Sequence, residues 1–134
     1  MPLGVTVVSP EQVLFEGEAD MVVCTTTEGE LAFLPGHVPF LGALRIAKVR
    51  VLFSDESEEV VAVHRGFVEV RHDRVTILSD AAELPRHIDR ERAQEAKERI
   101  EELLRTGVDP SPELNEALAR ANLRLELFDY FTRP

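Results

Sequence analysis

A chain of 134 residues with 15 Lys and Arg against 25 Asp and Glu carries a net charge of −10, so most of its surface repels phosphate backbones and anionic lipid, and nucleic acid is excluded as a partner. The length suffices for one ordinary domain, or for a small domain plus an appendage without a core of its own. No window approaches the roughly 18 to 20 apolar residues of a membrane helix, and Met1 to Val5 has neither the basic region nor the apolar stretch of a secretory signal, so a soluble chain is expected.

The β-branched run Leu3 to Val8, closed by Ser9-Pro10, predicts a first strand and a turn. Gln12 to Phe15 predicts a second, and Ala19 to Thr27 a third whose two faces are both apolar enough to be covered. Cys24 lies in that run; without a partner cysteine it reads as a small buried hydrophobe. A short apolar strand follows Gly29 and gives way to Pro35-Gly36-His37-Val38-Pro39. Two prolines and a glycine there predict a rigid loop that exposes His37, either as a contact or bonded to local backbone. Leu44 to Phe53, Val60 to His64, Gly66 to Arg71 and Arg74 to Ser79 complete the set, with a polar tip over 54–59 and short turns at Arg65-Gly66 and His72-Asp73. Eight or more short strands at this spacing predict an antiparallel sandwich or barrel.

The grammar changes between Asp80 and Arg99. Pro85 stops what precedes it, and Asp89 stands where a helix N-cap belongs. Divided there, residues 1–84 hold 6 basic and 14 acidic residues and residues 85–134 hold 9 and 11. Ile88, Ala93, Ala96, Ile100, Leu103 and Leu104 form one helical stripe, supported by Glu95–Arg99 and Glu101–Arg105 at i, i+4. Gly107 ends that helix. Ser111-Pro112 starts another, lined by Leu114, Ala117, Leu118, Ala121, Leu125 and Phe128 and widened by Leu123, Leu127, Tyr130 and Phe131. A hairpin of about fifty residues cannot hold itself together alone, so it must dock on its own β-domain or on another protein.

Catalytic constellations are missing. His37, His64, His72 and His87 are scattered without metal-ligand spacing, and no nucleophile elbow or phosphate-binding glycine loop occurs. The chain therefore reads as no enzyme.

Taken together, Val7-Val8-Ser9-Pro10-Glu11, Glu28-Gly29-Glu30-Leu31 through Pro35-Gly36-His37-Val38-Pro39, and Gly66-Phe67-Val68-Glu69-Val70, ahead of an arginine-rich hairpin, resemble the ε subunit of bacterial F-type ATP synthase over essentially the whole chain. Arg45-Ile46-Ala47 and Arg65 depart from the family pattern at turns. The resemblance implies a β-sandwich of about ten antiparallel strands over residues 1–84, binding the γ subunit and the c ring, and a regulatory two-helix antiparallel hairpin over residues 85–134. It also implies a central-stalk rotor subunit of the F1 complex that couples proton transport to ATP synthesis. The hairpin would restrain ATP hydrolysis by the α/β subunits. Such a subunit is peripheral on the cytoplasmic face of the bacterial plasma membrane, held by the complex without inserting. Glu30 and His37 become the candidate c-ring contacts.

Relatives that bind ATP on the hairpin carry an Ile/Leu-Asp-x-x-Arg-Ala signature, which Ile88, Asp89, Arg92 and Ala93 match. Arg92 and Arg99 are seven apart on the first helix, and Arg120 and Arg124 four apart on the second, which presents an arginine set suited to a polyphosphate. The alternative is that Asp89 is only a cap and the arginines pair with Glu95, Glu98 and Glu116. No cofactor or metal is required; ATP is the candidate regulatory ligand. Two readings of other classes stay open: a cupin-type metalloenzyme using His37, His64 and His72, and a free-standing adaptor whose hairpin forms an intermolecular coiled coil.

Overall fold

In the computed structural model, which describes residues 2–131, the first part of the chain forms eight strands: β1 Leu3–Val8, β2 Val13–Ala19, β3 Met21–Thr26, β4 Gly29–Phe33, β5 Phe40–Leu52, β6 Glu58–Arg71, β7 Arg74–Ser79 and β8 Ala82–Glu83. They join in one sheet ordered β2-β1-β7-β6-β5-β3-β4, with β8 beside β6. Alternation gives β1 and β3 a clean inward side, Leu3, Val5 and Val7 in the one and Val22, Cys24 and Thr26 in the other. Inward residues from distant strands, among them Leu3, Val22, Phe33, Val49, Val61, Val68 and Ile77, meet in one cluster. The sheet therefore folds over on itself as a β-sandwich around a single core. Inside it burial pushes the Cys24 thiol up to about 12, and the negative charge of Glu30 adds to the effect.

The strand count is eight where about ten were expected, because β5 and β6 run unbroken for 13 and 14 residues. The run Val60 to His64 and the run Gly66 to Arg71 are one strand. Arg65 and Gly66, read from sequence as a turn, take φ of +72° and +145° inside it. Pairing with β5 keeps its register through this point, Leu44 opposite Gly66 and Ile46 opposite His64. The core-facing side nevertheless switches from Val61 and Val63 to Val68 and Val70. A Cβ at Gly66 would stand 2.2 Å from the Leu78 carbonyl oxygen and 2.8 Å from the Ser79 Cα, so only glycine fits. The sheet also departs from pure antiparallel pairing, since β1 lies parallel to β7.

The chain divides into two compact units, Met1–Leu84 and Pro85–Pro134. The second holds a 3-10 turn at Pro85–His87, α1 Arg90–Arg105 and α2 Pro112–Phe131. Asp89 caps α1, its side chain accepting from the Arg92 N–H at 3.1 Å. Gly107, at φ +98°, closes the other end: its N–H donates to the Leu104 carbonyl and the next N–H, of Val108, reaches back to that of Leu103. Ser111 caps α2 through the Leu114 N–H at 3.1 Å. Ile88, Ala93, Ile100, Ala121 and Leu125 of the expected stripes are buried, as are Leu123 and Leu127. Tyr130 stays 57% exposed, and the side chain of Phe131 lies outside the described residues. The ion pair expected between Glu101 and Arg105 is made by Glu102 instead, three residues away, a spacing the helix surface serves equally well.

Gly66→Ala is expected to lower the unfolding free energy by about 2 to 4 kcal/mol, since it combines a left-handed conformation with a backbone clash; urea titration of the two proteins measures it. The buried Cys24 thiol should resist an aromatic disulfide reagent at pH 8 in the folded protein and react promptly once denaturant is added.

Candidate functional site

Of the seven hairpin residues singled out from sequence, Ile88 and Ala93 are buried at 6% and 3%, so they shape the scaffold. Asp89 has one carboxylate oxygen engaged by the cap. The four arginines are the accessible chemistry. Arg92 and Arg99 are exposed and, among the described residues, make no ion pair. Arg120 and Arg124 are half-buried; the Arg120 guanidinium lies 3.9 Å from Glu116, and Arg124 has a partner within the chain.

The alignment of the two helices follows from a contact that sequence reasoning missed. Arg90 Nε donates to Asp129 Oδ1 at 2.9 Å and joins the start of α1 to the end of α2; the carboxylate holds the Arg90 guanidinium above its ordinary pKa. Counting nine residues inward from each partner along antiparallel helices brings Arg99 level with Arg120. Arg92 lies level with Leu127, three residues from Arg124, or about 4.5 Å of helix rise. Two tiers of arginine result, one near each of two levels, with one member of each tier on either helix. Such an arrangement suits an elongated polyanion lying along the hairpin.

At one end of the sandwich the Leu34 to Pro39 loop is tightly folded. The His37 N–H donates to the Leu34 carbonyl at 3.1 Å, Gly36 sits at φ +85°, and His37 Nδ1 lies 2.7 Å from the Val38 carbonyl oxygen. The His37 ring meets buried Phe33 edge-on at 4.9 Å. It is half-buried where full exposure was expected, because the ring fills the space beside Phe33. Glu30 is exposed on β4 opposite Thr25. The most exposed apolar groups here are Val38 at 71% and Leu41 at 70%.

A third feature lies on the outer face. Cross-strand pairing strings Val13, Val8, Leu78, Phe67 and Ala43 into one row over β2, β1, β7, β6 and β5. Phe67 and Leu78 are more than half exposed, as is Val13. The next row carries Glu16, Thr6, Thr76, Glu69 and Leu41. At about 4.8 Å per strand the apolar row is roughly 19 Å long, enough to seat another chain. Its sequence signal is a broken alternation, an outward apolar residue beside each core one: Val7-Val8, Phe67-Val68, Ile77-Leu78.

The three histidines of the metalloenzyme reading do not converge. His64 is buried on β6 with Nε2 3.2 Å from Glu83 Oε1, His72 occupies a turn at φ +52°, and His37 sits on the loop. Among the described residues no group of three or more His, Cys, Asp or Glu is placed to hold a metal ion.

Comparison with known proteins agrees with this architecture. The family described as "ATP synthase, Delta/Epsilon chain, beta-sandwich domain" matches residues 2–85. The ATP synthase epsilon chain of Halalkalibacterium halodurans is 46% identical, over 93% of this chain and 96% of its own. That of Alkalihalophilus pseudofirmus is 53% identical over 76% of each chain. Similar solved structures include a chain of the Euglena gracilis mitochondrial ATP synthase (OSCP, F1 and c-ring), with TM-score 0.71 and 19% identity over 96% of this chain and 78% of that one. Another is a chain of the Tetrahymena thermophila mitochondrial ATP synthase central stalk and c-ring, with TM-score 0.59 and 13% identity over 99% and 98%. At those identities the structures speak for the fold, whereas the near full-length likeness to bacterial sequences speaks for descent. With sandwich, hairpin and relatives in agreement, the chain belongs to the ATP synthase epsilon-chain family.

Proposed function

We propose that the chain works as a non-catalytic subunit of the F1 central stalk in a bacterial F-type ATP synthase, turning with γ and coupling c-ring rotation to ATP synthesis at the α/β subunits. The near full-length likeness to epsilon chains carries this reading. Its place is peripheral, on the cytoplasmic face of the plasma membrane, through the complex; no helix of the described residues is long and apolar enough to cross a membrane.

Each surface then has a task. The apolar row through Phe67 and Leu78 is the seat for γ, and the Glu30 and His37 end of the sandwich meets the c ring. The hairpin is the regulatory part, with a folded form and an extended form beside γ that restrains hydrolysis. A ligand that binds one form shifts the balance by its differential affinity. ATP held by Arg92 and Arg99 from α1 and by Arg120 and Arg124 from α2 requires both helices together, so it favours the folded form. The competing contact is weak: a surface pair such as Arg120–Glu116 contributes about 0 to 1 kcal/mol, against about 1.5 to 3 kcal/mol for a charge-assisted bond to phosphate.

Titration calorimetry on the isolated protein tests the ATP site. Arg92→Ala and Arg124→Ala should each weaken binding about tenfold or more; absence of saturable binding by the wild type up to millimolar ATP would reassign the arginines to the extended form and to acidic residues of the catalytic subunits. For the γ seat, Phe67→Ser with Leu78→Ser should leave the isolated chain within about 1 kcal/mol of wild-type stability, because both side chains are already exposed. The same pair should weaken capture by γ about tenfold or more in a binding assay with purified subunits.

A further inference from the structure

The Leu34 to Pro39 loop closes on itself through local bonds, and among the described residues a single hydrogen bond ties it to another part of the sandwich. The Gly36 N–H donates to Asp73 Oδ1 at 2.7 Å, across 37 residues of sequence. Asp73 belongs to the two-residue turn between β6 and β7, which the Arg71–Arg74 pair closes. His72 and Asp73 sit there at φ +52° and +56°, the left-handed pair that a tight hairpin requires and that aspartate tolerates better than most residues. The acceptor is thus mounted on a stiff base.

We propose that Asp73 is a positioning residue for the loop, holding its tip in a preformed shape for the c ring; this rests on the reading of the loop as the ring contact. The clasp has a geometric consequence. Between the loop's exit and the β6–β7 turn lies an open groove of about 450 Å³, lined by Pro39, Phe40, Leu41, Glu69, Arg71 and His72. Leu41 stands on one wall and His72 on the other. Leu41 is already fixed opposite Glu69 by the β5–β6 pairing; joining Gly36 to Asp73 holds the loop against the turn and so sets where the exposed Val38 side chain lies relative to Leu41. A loop free to pivot would meet its partner in many orientations and lose them on docking, whereas a clasped loop has fewer to lose. The sequence pattern does not betray this role, since His72-Asp73 reads as an ordinary turn.

Two substitutions separate the clasp from the turn. Asp73→Asn keeps both a side-chain oxygen and tolerance of the left-handed conformation; Asp73→Gly keeps the turn and removes the acceptor. In the isolated full chain, amide hydrogen exchange at Gly36 should speed up about tenfold in Asp73→Gly, which loses the bond, and clearly less in Asp73→Asn, whose neutral side-chain oxygen still accepts it. In the reassembled synthase, proton pumping per ATP hydrolysed should fall severalfold with Asp73→Gly and return with Asp73→Asn, while the thermal unfolding of both variants stays close to wild type. Unchanged Gly36 exchange in Asp73→Gly would overturn the clasp itself. Faster exchange with unimpaired pumping would leave the clasp standing but overturn the loop's part in coupling, and Asp73's positioning role with it.

Discussion

The sandwich depends on one backbone contact. β6 passes so close to β7 at Gly66 that a methyl group would strike the Leu78 carbonyl, and it is at this point, with Arg65 also at positive φ, that the inward side of the strand changes over. Without the change, the outward residues of one half of β6 would face the core. The pairing register with β5 is preserved throughout, so the hydrogen-bond ladder is kept while the side chains are re-aimed. One core can then be built from both halves of a 14-residue strand, and the outer face on the β7 side receives the row that runs through Phe67.

Much of this was legible in the sequence, for identifiable reasons. Local signals carried the helical hairpin: Asp89, Gly107 and Ser111-Pro112 act on backbone groups within four residues of themselves, and no tertiary contact is needed to read them. Most strand cores were legible by alternation. Arg65-Gly66 was misread because positive φ is as much the mark of a strand re-aimed at a glycine as of a turn, and composition does not distinguish the two. Ala82-Glu83 was invisible because two residues carry no period. The parallel β1–β7 pairing was beyond reach for another reason, since both strands have equally good antiparallel neighbours and only the folded core selects the partner.

The candidate sites divide along the same line. Arginine spacing along one helix can be counted in the sequence, but the level at which two helices meet cannot; it is read from the Arg90–Asp129 contact, which puts Arg99 level with Arg120. Likewise the apolar row exists only after the registers of five strands are known. His37 shows the reverse limitation. Its loop carries the turn expected at Gly36, yet the ring is half-buried against Phe33, four residues back, a contact that the Pro-Gly-His-Val-Pro pattern does not signal.

The parallel pairing of β1 with β7 also bears on how the protein is made. β1 is synthesised ahead of β7, which completes its ladder and starts some 65 residues later; at roughly 5 to 20 residues per second that is a delay of about 3 to 13 seconds. During that interval β1 has only β2, its hairpin neighbour, to pair with, and the unmatched edge of a two-strand ribbon is exposed. The nascent chain therefore closes its sandwich along the seam between β1 and β7, and only when synthesis has passed Ser79 is β1 covered on both sides.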